Sequence, residues 1–169
     1  MKSMSVGRTE SFEQAGVPDA WNALSHDVIG CAVRVHRALG PGLPERIYAA
    51  AMEVEFRRAG IPFQQEVAVH VTYEGADVGV VRLDLLVGGL LVVELKATEG
   101  VAEQHLAQLV SYLRAANMPL GLLINFNVPL LKQGVHRRLH APAIAGKLAT
   151  ARTGSGVQVA SARVLSSTP

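Results

Sequence analysis

Three ionisable residues, Asp84, Glu94 and Lys96, lie within a stretch that is otherwise almost entirely aliphatic, residues 81–96. Charged side chains are costly to bury in a strand unless they are paired or hold a metal. Glu94 and Lys96 are two residues apart, so on a strand both project from the same face. Two carboxylates and one amine gathered on one face of a sheet form a candidate metal site.

The chemistry that these groups predict is metal-assisted hydrolysis of a phosphodiester bond. Carboxylate oxygens are suitable ligands for one or two Mg²⁺ ions, and we expect Mn²⁺ to substitute. A metal held there orients and acidifies a water molecule and neutralises the charge that develops on the phosphate. A lysine beside the metal can orient the attacking water or stabilise the additional negative charge.

The spacing of the acids provides a test of this hypothesis. The pair Gly88-Gly89 divides the stretch into two strands of a hairpin. If the turn contained only these two glycines, Asp84 would lie opposite Val93, and Glu94 would point to the other face of the sheet. A shared face requires Asp84 opposite Glu94, hence an odd-length loop such as Gly88-Gly89-Leu90, or a bulge. We predict the odd register.

The elements that must position these residues follow from periodicity and from glycine and proline positions. We predict, in order, a helix from near Ser25 to Leu39, a helix from Pro44 to Ala59, a strand over 63–71, the two strands of the hairpin, a helix over 101–116 and a strand over 120–126. This order indicates a single α/β domain with a small mixed sheet flanked by helices. A right-handed parallel crossover is expected to join the strand that ends at Lys96 to strand 120–126.

Composition limits the class of protein. The single cysteine, Cys31, excludes an intrachain disulfide and a zinc ribbon. No apolar stretch has the length of a membrane span and no leader is recognisable, so we expect a cytoplasmic protein without a membrane partner. There is no Gly-x4-Gly-Lys phosphate loop and no Gly-x-Gly-x2-Gly motif.

Charge divides the chain unevenly. Residues 1–126 carry 10 Lys/Arg and 14 Asp/Glu, whereas residues 127–169 carry six basic and no acidic residues. A basic end of this kind can contact phosphate backbones, although for residues beyond 145 a solvated tail is the favoured interpretation. We predict a flexible lead-in over 1–24, one folded domain over 25–140 and a low-complexity, disordered basic tail over 141–169.

Residues 84–96 resemble the signature of the PD-(D/E)xK nuclease superfamily, with Asp84 followed by Glu94-Leu-Lys96. Gly42-Leu-Pro-Glu45-Arg-Ile-Tyr48 is similar to the GxxExxY motif that names a small family within that superfamily. Gln108-Leu-Val-Ser-Tyr112 resembles the Gln-x3-Tyr helix that follows the core in RecB-type nucleases. The resemblance covers about residues 25–140 and identifies the chain as a member of the GxxExxY family with a restriction-endonuclease-like fold.

The resemblance also implies roles for individual residues. Asp84, Glu94 and Glu45 would be the metal ligands, and Lys96 would act with them in catalysis. Gln108, Tyr112 and Tyr48 would position the substrate. His105, one turn before Gln108, and His36, on the first helix, would support the ligands rather than bind the metal themselves.

The function that follows is a Mg²⁺-dependent nuclease that hydrolyses nucleic acid, DNA in preference to RNA. The alternative is a catalytically silent subunit that keeps the nuclease fold and serves in nucleic-acid binding or assembly. A third reading is a non-enzymatic oligomer whose interface uses Tyr48 and the Leu/Val-rich strands. Because no basic groove is evident beside the acids, we also expect a homo-oligomer or a protein partner to complete the substrate channel.

Overall fold

The computed structural model describes residues 16–153 of the chain. Its helices are α1 (Asp19–Leu39), α2 (Glu45–Ala59), α3 (Glu103–Ala115) and α4 (Ala141–Thr153). Its strands are β1 (Phe63–Tyr73), β2 (Ala76–Val87), β3 (Leu91–Lys96), β4 (Leu120–Asn125) and β5 (Val135–Leu139). A single 3₁₀ turn, Leu131–Gln133, precedes β5.

The five strands form one mixed sheet in the order β1-β2-β3-β4-β5. Neighbouring strands are antiparallel except β3 and β4, which are parallel and are joined through α3. The predicted parallel crossover is therefore present. The predicted fold class, a small mixed sheet flanked by helices, is confirmed.

Each face of the sheet buries its own apolar core. Helices α1 and α2 cover one face, where Val28, Met52 and Phe56 pack against alternate residues of β3 and β4. Helix α3 covers the other face, where Leu109 and Leu113 pack against Leu83, Val92 and Leu123. Strands β3 and β4 are buried on both sides, which explains their continuous aliphatic sequence.

The first helix begins earlier than predicted. It starts at Asp19 after Pro18, six residues before Ser25, the predicted N-cap. The Ser25 hydroxyl donates to the carbonyl oxygen of Trp21 at 3.1 Å, one turn back within the helix. Serine makes this bond in helix interiors as well as capping bonds at their ends, so residue type alone placed the start wrongly.

The chain also continues in regular structure beyond the predicted domain. Helix α4 covers Ala141–Thr153, so the prediction of disorder from residue 141 was wrong for this segment. Ala143 is buried and Ile144 packs against the core beneath α1 and α2, which gives the helix an apolar anchor. Residues 1–15 and 154–169, which hold most of the predicted lead-in and the rest of the predicted tail, lie outside the described residues.

Within residues 16–153, no helix combines the length and the apolar character needed to cross a bilayer.

Candidate active site

The turn between β2 and β3 has three residues. Val87 pairs with Leu91, Leu86 with Val92 and Leu85 with Val93, so the connection consists of Gly88, Gly89 and Leu90. Both glycines have positive φ angles, 59° and 63°, which L-residues with a Cβ adopt at a cost. Continued by one position, this register sets Asp84 opposite Glu94. The predicted odd register is confirmed.

Beyond Leu85 and Val93 the two strands no longer pair through their backbones. The side chains of the two acids accept hydrogen bonds from the backbone amides there instead. The backbone N–H of Leu95 donates to Oδ2 of Asp84 at 2.8 Å. The backbone N–H of Asp84 lies 3.4 Å from Oε1 of Glu94, a longer contact. The carboxylates thus lie in an opening between the strands, each directed at the neighbouring strand.

Lys96 lies beside the acids on β3. Its Nζ atom is 3.8 Å from Oε2 of Glu94, and the two side chains are only 17% and 4% exposed. Because residues two apart on a strand share a face, this contact follows from the Glu-x-Lys spacing. The ammonium group therefore belongs to the same half-buried cluster as the carboxylates.

Glu45 reaches the cluster from the first turn of α2. Burial raises the pKa of its carboxyl group, the nearby Lys96 ammonium opposes that change, and the Asp84 carboxylate adds to it. Smaller opposing effects on this pKa come from a hydrogen bond with the backbone amide of Ala97 and from the His105 imidazole. Four groups from three separate elements, Glu45 of α2, Asp84 of β2, and Glu94 and Lys96 of β3, are thus neighbours in the structure.

The cluster contains more acidic groups than basic ones. Burial raises the pKa of Glu94 from 4.5 to about 8, and repulsion from Asp84 and, more weakly, from Glu45 acts in the same direction. The Lys96 ammonium group and the amide of Asp84 only partly offset these effects. Three carboxylates facing one ammonium leave negative charge that a cation would neutralise.

Comparison with known proteins bears on the same region. A family model described as the PD-(D/E)XK nuclease superfamily matches residues 22–138, more than half of the chain. The chain belongs to the PD-(D/E)XK nuclease superfamily. Searches of curated proteins and of solved structures found no match.

Members of this superfamily typically depend on a metal ion. The donors are carboxylate oxygens, the type that hard divalent cations prefer, and they have excess negative charge. However, the described part of the chain contains no group of three or more His, Cys, Asp or Glu side chains already arranged to hold an ion. Oδ2 of Asp84 already accepts a hydrogen bond from a backbone amide, which occupies one of the lone pairs of this carboxylate. The donor chemistry fits a PD-(D/E)XK metal site, and the present rotamers do not.

The two residues of the Gln-x3-Tyr motif contact each other on α3. Nε2 of Gln108 donates to the hydroxyl group of Tyr112 at 2.9 Å. Tyr112 packs against the core beneath α3, whereas Gln108 is exposed. Within residues 16–153 no hydrogen bond or ion pair joins either side chain to Asp84, Glu94 or Lys96.

His105 lies at the start of the same helix. Its Nδ1 accepts a hydrogen bond from the backbone amide of Ala102 at 3.2 Å, and its ring is close enough to Glu45 to lower the pKa of that carboxyl group. The structure therefore brings His105 to the edge of the acidic cluster.

Tyr48, which the resemblance implied to be a substrate-positioning residue, is instead part of the core. Its side chain is fully buried, and its ring stacks on Phe126 with centroids 4.4 Å apart. Its hydroxyl donates to the carbonyl of Gly40 at 2.6 Å and accepts from the amide of Leu43 at 3.1 Å. The ring cannot touch a substrate there. Its role is to hold the α1–α2 connection, from which Glu45 follows.

His36, the other histidine that was expected to support the metal ligands, is a buried residue of α1. It is 9% exposed, and its Nε2 lies 2.8 Å from the carbonyl oxygen of Val128. Because a carbonyl only accepts, Nε2 carries the proton and donates. His36 thus attaches α1 to the segment after β4.

Sequence reasoning missed one buried polar residue next to the site, Asn125. It is 1% exposed at the end of β4, and its side-chain amide bonds to the backbone of Thr98, just beyond Lys96. A signal was available, because a lone amide at the end of a buried aliphatic strand needs hydrogen-bond partners there.

Two grooves lie against the helices that flank the sheet, and one of them is lined by the site residues Glu45 and Asp84. One, of about 270 Å³, lies between α2 and the β1–β2 pair and is acidic, with Glu45, Glu53, Glu66 and Asp84 among its lining residues. The other, of about 400 Å³, follows α3 from Glu103 to Arg114 and is bordered across the helix by Arg138 of β5. The acidic groove leads to the cluster, and the second groove supplies basic groups.

Proposed function

We propose that the chain is a Mg²⁺-dependent nuclease of the GxxExxY type that hydrolyses phosphodiester bonds, in DNA rather than RNA. The observation that carries this proposal is the convergence of Glu45, Asp84, Glu94 and Lys96 at the opening between β2 and β3. Membership of the PD-(D/E)XK nuclease superfamily supports it, because Asp84, Glu94 and Lys96 lie within the matched range and resemble the signature that names the superfamily.

In this proposal Asp84, Glu94 and Glu45 hold the metal, with Mn²⁺ able to replace Mg²⁺. When bound, the ion supplies an acidified water and neutralises charge on the phosphate. The high pKa of Glu94 supports a cation at this position, because a divalent charge would favour the ionised carboxylate that burial and its neighbours disfavour.

Lys96 acts on the reacting phosphate. Its side chain is 17% exposed, so it is accessible yet partly withdrawn from water, where a charge interacts more strongly than at the surface. Its present partner, Glu94, holds it beside the metal ligands. We propose that it orients the attacking water or stabilises the added negative charge, and that His105 supports Glu45.

Substrate contacts come from α3 and β5. Arg114 and Arg138 border the groove along α3, and neither forms an ion pair with an acid of residues 16–153. From Glu103 to Arg114 the helix rises about 16 Å. Arg114 therefore lies at one end of the groove, and the end near His105 is roughly 16 Å away. This groove supports nucleic acid as the partner, with Gln108 and Tyr112 on the same helix as further contacts. It also supplies basic groups that sequence reasoning expected only from a second chain.

The experiment is a cleavage assay of the full-length chain on labelled DNA and RNA with Mg²⁺, Mn²⁺ or EDTA. Lys96→Ala is expected to abolish cleavage while the circular dichroism spectrum stays unchanged. Arg58→Ala is the matched control, because it removes the same charge from an exposed position. Along α2, Arg58 lies about 20 Å from Glu45. Equal cleavage by Lys96→Ala and the parent protein would refute the role of Lys96.

A second candidate function is a cytoplasmic binding or assembly subunit that has kept the fold without turnover. The observation that favours it is that Oδ2 of Asp84 bonds to a backbone amide and that no metal-ready group of ligands exists within residues 16–153. Calorimetric titration with Mg²⁺ separates the two candidates. Absence of both Mg²⁺ binding and cleavage would favour the subunit.

The third reading, an oligomer that associates through Tyr48 and the Leu/Val-rich strands, loses its basis. Tyr48, β3 and β4 are buried within this chain's own core. A homo-oligomer or protein partner would have to use other surfaces.

A further inference from the structure

Asn125 makes an unusually complete set of hydrogen bonds for a single buried side chain. Its Oδ1 accepts from the backbone amides of Thr98 at 3.1 Å and Asn127 at 3.2 Å. Its Nδ2 donates to the carbonyl oxygen of Thr98 at 2.9 Å. Both polar groups of Thr98's backbone are therefore held by one amide, in the manner of a strand pairing with its neighbour.

The segment that Asn125 holds is the one that carries the site. Lys96 is opposite Asn125 in the parallel pairing of β3 and β4, and the carbonyl oxygen of Lys96 accepts from the amide of Phe126 at 2.8 Å. Residues 96–98 are thus fixed to β4 at both ends. Between those attachments lie the Lys96 side chain and the Ala97 amide that interacts with Glu45.

The backbone of Asn125 is itself fixed by the segment that precedes β5. Its backbone amide donates to the carbonyl oxygen of Gly134 at 2.8 Å. A Cβ atom at position 134 would lie 2.2 Å from the carbonyl oxygen of Asn125, so only glycine permits this approach. The backbone around Asn125 therefore has little freedom to shift.

We propose that Asn125 is a positioning residue for the active site, an inference that rests on the proposed nuclease function. It acts through the backbone of residues 96–98, which sets where the Lys96 ammonium group and the Ala97 amide lie relative to Glu94 and Glu45. It touches no reacting atom. Aspartate in its place would keep the two accepted bonds and lose the donated one. Leucine would lose all three and leave the half-buried backbone amide of Thr98 without its side-chain partner.

The test compares Asn125→Leu and Asn125→Asp with the parent protein and with Val28→Ala. Val28 is fully buried in α1 and its side chain has no polar atom, so its variant reports a loss of packing without the loss of a hydrogen bond. The kcat and KM for DNA are measured below each variant's unfolding transition. Backbone amide exchange at Ala97 and Thr98 and the affinity for Mn²⁺ are measured without substrate.

We expect kcat of Asn125→Leu to fall about 100-fold, as for a small misplacement of catalytic groups, with KM unchanged. The kcat of Asn125→Asp should fall less, and the kcat of Val28→Ala should match that of the parent protein. Exchange at Thr98 should accelerate and Mn²⁺ binding should weaken in the leucine variant. If the parent cleaves and Asn125→Leu has the same kcat, the inference is wrong.

If the parent does not cleave, the proposed nuclease function fails, and the other two measurements decide the positioning role. Faster exchange at Thr98 together with weaker Mn²⁺ binding would support a role in arranging the acids. Unchanged exchange, or unchanged Mn²⁺ affinity, would overturn it. The aspartate variant guards against a leucine variant that fails to fold.

Discussion

Oδ2 of Asp84 accepts a hydrogen bond from the backbone amide of Leu95 at 2.8 Å. The proposed metal ligand therefore also replaces a missing backbone partner at the point where β2 and β3 separate. Leu95 is 1% exposed, so its amide has no access to water if the carboxylate is removed. Catalysis and stability depend on the same side chain here, and two substitutions can separate them.

Asp84→Ala should lower the free energy of unfolding by about 1–3 kcal/mol, because it leaves the Leu95 amide buried without a partner. Asp84→Asn keeps a carbonyl acceptor and should lose less stability, yet it should lose cleavage because an amide is a weaker metal ligand. Urea unfolding and a DNA cleavage assay test the pair. Equal stability of the two variants would show that the bond to Leu95 contributes nothing.

The raised pKa of Glu94 predicts a decline in stability with pH in metal-free protein. Between pH 4.5 and about 8, the folded protein holds a proton that the unfolded chain has released. Raising the pH through this range should therefore destabilise the fold. Urea unfolding in EDTA across the range should show the decline, Glu94→Gln should reduce it, and Mg²⁺ should restore stability at the alkaline end. A parent curve that rises with pH would contradict the assignment.

The groove along α3 predicts a salt-dependent contribution to DNA binding. Replacing Arg114 and Arg138 together by alanine should weaken binding across all sequences, and it should reduce the slope of log affinity against log salt by about 2. Fluorescence anisotropy at several salt concentrations measures this, in EDTA to prevent cleavage. The matched control replaces Arg57 and Arg58, which form ion pairs with Glu53 and Glu55 on α2. An equal loss in the control would indicate a general charge effect.

Tyr48→Phe separates the structural role of this residue from the substrate contact that the resemblance implied. The variant keeps the stack on Phe126 and loses two hydrogen bonds that join the ring to Gly40 and Leu43. We expect a loss of about 1–2 kcal/mol in the free energy of unfolding and no change in KM for DNA. A raised KM at unchanged stability would restore Tyr48 as a substrate residue.

Much of the architecture was predictable because its signals are local. The glycines and prolines at residues 40–44 and 60–62 bracket α2, and the aliphatic runs of β3 and β4 indicate strands buried on both faces. The register of the hairpin was also predictable, since the strand period of two permits a shared face for Asp84 and Glu94 only with an odd turn.

The features that sequence reasoning missed depend on tertiary contacts. Strand β5 contains Arg137 and Arg138 side by side, without the alternation that marks a strand. Tyr48 and His36 are polar-tipped residues near a motif, and only the fold shows that their partners are the carbonyls of Gly40 and Val128. Asn125 was missed for the same reason, because the groups that it holds belong to the backbones of Thr98 and Asn127.

The three-residue turn at Gly88, Gly89 and Leu90 has a consequence for how loss of activity would be recognised in such a chain. An insertion or deletion of one residue there would retain all four charged side chains while turning Glu94 and Lys96 away from Asp84. An inventory of motif residues would score that chain as intact. Counting the residues between Val87 and Leu91 would reveal the defect.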